Sequence, residues 1–220
     1  PAAVVIPNAI PATWSKATDQ NGVHAYDYWR DLVPYADGVL DEGGMTLNAG
    51  GAGKSLPYIT SDPNGSGIPN PWDLKMQDYK WASSLGKIVM IVDKEKYYVK
   101  TGMTSSNNQA RFDLQWSLAS YLLAQGNYTY LVWRGLQQTP NDAYNEPEYA
   151  TAQAIGSPTD PMYQSQNVYM RDFSNGLAIE NPSGKSTYMV TFPAGKYHDL
   201  YGNAVSSYTM PPHSGLVLLG

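Results

Sequence analysis

The chain contains no cysteine, which excludes a disulfide framework, a thiolate metal site and a cysteine nucleophile, and leaves its redox compartment open. Histidine is scarce. His24, His198 and His213 are scattered without the spacing of metal ligands, so neither a metal nor any other cofactor is expected. Charge is scarce too: 15% of residues are charged and the formal net charge is −5, with no basic stripe to track a polyanion, which argues against a nucleic-acid partner. No apolar run approaches the roughly 20 residues that span a bilayer, and the charged, apolar, small-residue order of a secretory signal is missing. The sequence opens Pro1-Ala2-Ala3 without Met and enters an apolar run at once, which reads as a processed or truncated piece of something longer. Phenylalanine is rare against 18 Tyr and 6 Trp. Those rings offer an apolar face and a hydrogen-bonding tip, a surface that suits sugars and equally suits a tyrosine-rich β sheet.

What is present falls into two periodicities. Val4 to Ala9 is β-branched and then broken by Pro7 and Pro11, which predicts a first short strand. His24 to Tyr35 repeats Tyr28, Trp29, Leu32 and Val33 at near-helical spacing and closes at Pro34. Ala36 to Gly43 is a second strand, Trp72 to Leu85 a helix stopped by Gly86, Lys87 to Asp93 the clearest buried strand, Arg111 to Gln125 a largely buried helix, and Tyr128 to Trp133 a fourth strand. This alternation predicts right-handed βαβ units and a parallel sheet, either half of a (β/α)8 barrel or a small open sheet. Residues 44–71 read as a long loop and 135–165 as a proline-rich irregular stretch. Beyond it, short strands at 168–171, 177–180, 187–192, 196–200, 205–209 and 216–219 alternate with turn signals and predict an antiparallel meander or small sandwich. The expected fold class is therefore α/β followed by all-β: residues 1–150 as about four βα units of a partial barrel, 151–165 as a linker, and 166–220 as the antiparallel domain.

Carboxylates end two of the predicted parallel strands. Asp37-Gly38-Val39-Leu40-Asp41-Glu42-Gly43-Gly44 is an apolar run closed by two acids and two glycines, and Asp93 ends the next strand. In barrels and open α/β sheets chemistry sits just past the C-terminal strand ends, so Asp41, Glu42 and Asp93 are the acid/base candidates. The plainer alternative is that Asp41 and Glu42 are solvated loop acids or caps for the next element, and that Asp93 opens an ordinary charged loop. Adjacent strand residues point to opposite faces, so Asp41 and Glu42 cannot both face one cleft while the strand stays regular. Two patterns carry no function. Gly50 to Ser55 imitates a phosphate loop, but Asn48 stands where its first glycine is required. Asn64-Gly65-Ser66 and Asn127-Tyr128-Thr129 fit a glycosylation pattern that matters only in a eukaryotic secretory context.

Three stretches, RDFSNGLAIENPS at 171–183, FPAGKYHDLYG at 192–202 and SGLVLL at 214–219, resemble the C-terminal β domain appended to hypothetical barrel glycoside hydrolases. In that group one barrel strand reads Asp-Gly-Val-x-x-Glu-Gly, and residues 37–43 are similar to it, with Asp41 departing from the apolar residue expected beside the glutamate. Tyr121 to Leu123 and Tyr128 to Trp133 resemble the last helix and strand of such barrels. The resemblance implies that the four strands are barrel strands five to eight, with 37–43 the sixth. It also implies that the missing N-terminal half-barrel comes from the same gene, another chain or a dimer mate, and that this chain alone is catalytically incomplete.

The implied activity is cleavage of O-glycosidic bonds in an oligosaccharide or polysaccharide by two carboxyl groups, one protonated and one charged. Glu42 aligns with the family glutamate and ranks first, with Asp93 or an acid outside the chain as its partner; Asn8, Trp14 and Trp133 are the candidates to line sugar subsites. An extracellular or cell-surface location fits such a substrate. The alternative is a non-catalytic carbohydrate-binding or structural assembly protein on the same scaffold, or a stable fragment with no independent function.

Overall fold

The computed structural model describes residues 3–9, 28–46, 58–62, 70–94, 107–134 and 146–220. Its N-terminal layer holds three parallel strands in the order β1 (Gly38–Asp41), β2 (Ile88–Lys94) and β3 (Thr129–Arg134). The predicted strand at Val4 to Ala9 runs alongside β1: Leu40 N–H donates to the Pro7 carbonyl and Ala9 N–H to the Leu40 carbonyl, each at 2.9 Å. Only Asn8 forms a formal bridge, parallel to Leu40. Pro7 has no N–H to give, which limits the segment to a few ladder bonds at a sheet edge.

The helices are α1 (Tyr28–Leu32, continued by a 3-10 turn to Tyr35), α2 (Pro71–Ser84) and α3 (Asn107–Ala124). Asn70 caps α2 by accepting from Asp73 N–H at 3.0 Å, and Pro71 occupies the first helical position, where a missing N–H is harmless. One face of α2 buries Trp72, Met76, Tyr79 and Ala82, and Gly86, at φ 73°, ends it. Burying each such aromatic or large apolar side chain contributes roughly 1.5–3 kcal/mol, which is why the apolar pattern decides this helix's position.

The C-terminal part, with α4 (Pro147–Ala152) before it, forms a six-stranded sheet in the order β4 (Tyr163–Ser165), β5 (Val168–Phe173), β6 (Gly176–Asn181), β11 (Ser214–Leu219), β8 (Tyr197–Asp199) and β9 (Ala204–Val205). A ribbon of β7 (Tyr188–Thr191) and β10 (Ser207–Met210) is separate. Two expected boundaries shift as a result. The stretch 151–165 carries the end of α4, a 3-10 turn and β4, and the single strand expected at 205–209 is two strands serving different sheets.

Strand alternation explains why β6 and β11 are buried along their length. Leu177, Ile179, Leu216 and Leu218 meet Val190 and Met210 of the ribbon, while Ala178 and Val217 join the core built around α2 and α3. At Gly215 the strand backbone lies so close to α3 that an added Cβ would fall 2.2 Å from the Gln115 carbonyl oxygen. The antiparallel sheet is therefore packed directly onto α3. No helix among the described residues is long and apolar enough to cross a membrane.

Glu180 of β6 sits in this contact, fully buried, with Oε1 accepting from Trp72 Nε1 at 3.0 Å and from Ser120 Oγ at 2.5 Å, while Oε2 has no partner among the described residues. Burial pushes its carboxyl well above the ordinary glutamate value of 4.5, against the pull of those two donors. The folded state thus holds this proton more tightly than the unfolded chain, so stability is full below the unfolded value and falls as pH rises above it. Glu180→Gln, which keeps an acceptor oxygen, is expected to raise stability at pH 7 by about 1 kcal/mol or more and to flatten its decline between pH 5 and 7. Thermal melts across that range check this; an unchanged slope would contradict it.

Candidate active site

The site is built on the end of β1. Asp41 points toward the helices, where it is fully buried and lies 2.8 Å from the ammonium group of Lys75 on α2. Tyr79 donates to its Oδ2 at 2.5 Å and Gly43 N–H to its Oδ1 at 2.8 Å. Lys75 also donates to the Gly44 carbonyl. Burial, and then the neighbouring Asp41 carboxylate, push the Tyr79 phenol well above its ordinary 10.0, so it stays a hydrogen-bond donor.

Gly44 turns the chain at φ +49°, a left-handed conformation, with its Cα so near β2 that a Cβ would fall 2.5 Å from Asp93 Cγ. Glycine suits both demands. The turn delivers Thr46 to Asp93: Thr46 N–H and Oγ1–H reach Oδ1 at 3.1 and 2.7 Å, Lys94 N–H joins them at 2.9 Å, and Ser117 of α3 donates to Oδ2 at 2.6 Å. Asp93 is fully buried. Asp41 and Asp93, the other two acid/base candidates, are each buried on the helix side and bound by donors, in positions that fasten the ends of β1 and β2.

Glu42 takes the opposite face, as alternation requires. Its side chain is 42% exposed; Asn8 Nδ2 donates to Oε2 at 3.0 Å, and Lys94 Nζ lies 3.7 Å from Oε1. The ends of three neighbouring parallel segments thus converge on one carboxylate. Asn8 and Glu42, both expected from the sequence, are brought together. Lys94 was missed because Asp93-Lys94 reads as a charged loop entry, although the alternation that separates Asp41 from Glu42 also separates Asp93 from Lys94.

Trp133 is in register with Asp93 rather than Lys94 and so lies on the helix side, away from Glu42. It is 2% exposed and lines a cavity of about 200 Å³ with Arg111, Leu114, Glu146 and Glu148. Strand register thus puts this candidate for a sugar subsite on the face opposite Glu42, where it packs as a buried side chain. Trp14 and residues 50–55 lie outside the described residues. Among the described residues no group of three or more His, Asp or Glu is arranged to hold a metal ion.

The profile of hypothetical glycosyl hydrolase family 15 matches residues 19–177, most of the chain. The chain belongs to this family. The family 15 match includes β1, β2, β3 and their helices, and stops inside β6, so the similarity of 192–202 and 214–219 to an appended domain lies beyond it. No curated protein matches the chain.

The candidate site rests on the Asp41–Lys75 pair, and removing one partner of a buried pair leaves a charge without compensation. Lys75→Met is expected to cost about 3–5 kcal/mol in denaturant unfolding, and Lys75→Met with Asp41→Leu to recover most of it. A double variant as unstable as the single one would show that the pair is not what fastens α2 to β1.

Proposed function

We propose that the chain is the C-terminal portion of a glycoside hydrolase that cleaves O-glycosidic bonds of an oligosaccharide or polysaccharide, with Glu42 as a catalytic carboxylate. The observation that carries this reading is the placement of Glu42. Of the three candidate acids it alone is solvent-accessible, at the C-terminal ends of parallel strands and on the face turned away from the helices. Sites in α/β architectures of this kind occupy that end of the sheet. Membership of a glycosyl hydrolase family supports the reaction class.

In this reading the parallel layer is half of a (β/α)8 barrel, residues 1–150, followed by the antiparallel domain at 166–220. Two observations support it. Leu40, Met90 and Val132 are only partly buried on the face that Glu42 shares, and parallel sheets are ordinarily covered on both faces. Segment 5–9 and β3 are also the outer members of the parallel layer, with edges that closure of a barrel would pair. The complementary strands come from the same gene, another chain or a dimer mate, and bring the second carboxyl with them.

The sealing of Asp41 and Asp93 favours a second reading, in which the scaffold binds glycans without cleaving them. The two separate in one experiment. In the complete barrel, with a glycan substrate that the wild type cleaves, Glu42→Gln is expected to lower kcat by about 10²–10⁴-fold while leaving circular dichroism unchanged, because the side chain is half exposed. Undiminished turnover would remove Glu42 from the mechanism, and glycan binding without hydrolysis by the wild type would establish the second reading.

A further inference from the structure

Glycoside cleavage by two carboxyls needs one in the acid form and one in the charged form, and the surroundings of a carboxyl decide which it is. Glu42 has a cation on one oxygen and an amide donor on the other: Lys94 Nζ at 3.7 Å from Oε1 and Asn8 Nδ2 at 3.0 Å from Oε2. Both contacts are with lone pairs that a carboxylate keeps and a carboxylic acid partly loses. The Lys94 side chain is only 5% exposed, so its attraction to Glu42 is less screened by water and salt than that of a surface pair. Lys94 is also held from behind, since Thr46 Oγ1 lies 3.2 Å from its carbonyl oxygen and its N–H is bound to Asp93. Asp41 and Asp93 lie on the helix side of the sheet and do not oppose the ammonium group across this face.

Resting on the glycosidase reading, we propose that Glu42 is the ionised member of the acid pair and that Lys94 is the positioning residue that keeps it so. Glu42 either bonds to the anomeric carbon or takes a proton from the attacking water. The glycosidic C–O bond breaks, and the leaving oxygen receives its proton from a second carboxyl in its acid form, which Glu42 does not supply. Lys94 touches neither the sugar nor the bond; it acts through Glu42.

The test uses the intact protein and two readouts, the carbon-13 titration of the Glu42 carboxyl and the pH profile of kcat/KM. Lys94→Met is expected to raise the Glu42 titration, and the acid limb of the profile with it, by about one pH unit or more, whereas Lys94→Arg, which keeps the charge, leaves both within a few tenths. Asn8→Ala, at an exposed edge, gives a smaller upward shift and carries the test should Lys94→Met not fold. An unmoved Glu42 titration in Lys94→Met, or in Asn8→Ala where only that variant folds, would overturn the proposal, as would equal shifts in the Met and Arg variants. If the titration moves as expected but no glycoside is cleaved, the hold of Lys94 on Glu42 stands and it is the glycosidase reading that fails.

Discussion

Lys75 carries its ammonium group into a place that water does not reach, and the architecture around it is arranged to compensate that charge. Asp41 supplies the counter-charge, the Gly44 carbonyl accepts another of its protons, and the Tyr79 hydroxyl shares Oδ2 of the carboxylate with Lys75 while Gly43 N–H binds Oδ1. An isolated buried ion of this size would cost several kcal/mol, so neither Lys75 nor Asp41 can be buried here without the other. The rest follows from the one placement. With Asp41 committed to the helices, the pleat sends Glu42 outward. With Gly44 held by Lys75, the turn presses against β2 and brings Thr46 to Asp93. One buried cation thus fixes which acid is structural and which is exposed.

Much of this was legible where the sequence carries its own periodicity. Ile88 to Val92 reads as a strand, although Ile88, Met90 and Val92 are only half-buried, and the apolar faces of α2 and α3 were plain from Trp72, Met76 and Tyr79 and from Leu114, Leu118 and Leu122. The opposition of Asp41 and Glu42 followed from the two-residue repeat alone. What could not be read depends on partners remote in the chain. Asp93 resembles a rim acid until Thr46 and Ser117 are known to surround it, 47 and 24 residues away. The division of 204–210 between two sheets depends on whether Tyr197 or Val190 lies opposite, which no local pattern encodes. Pro158 and Pro161 hid β4, whose three residues add an outer strand next to β5.

Among the described residues the candidate site is developed on one side. Segment 5–9, β1 and β2 contribute an amide, a carboxylate and an ammonium group to a single cluster, whereas the indole of Trp133 at the end of β3 is turned to the helices. A cleft that grips a sugar from two sides therefore needs groups beyond this cluster. Among the described residues, the contacts to Glu42 from Asn8 and Lys94 come from two strand ends adjacent to its own.

The contact between β11 and α3 has a consequence for the order of biosynthesis. α3 lies between the two layers, and Val217 together with the close approach at Gly215 comes from residues 214–219. As the chain leaves the ribosome, β1, β2, β3 and α3 emerge well before β11, and one flank of α3 must wait for its cover until nearly 100 further residues have been made, at about 5–20 residues per second.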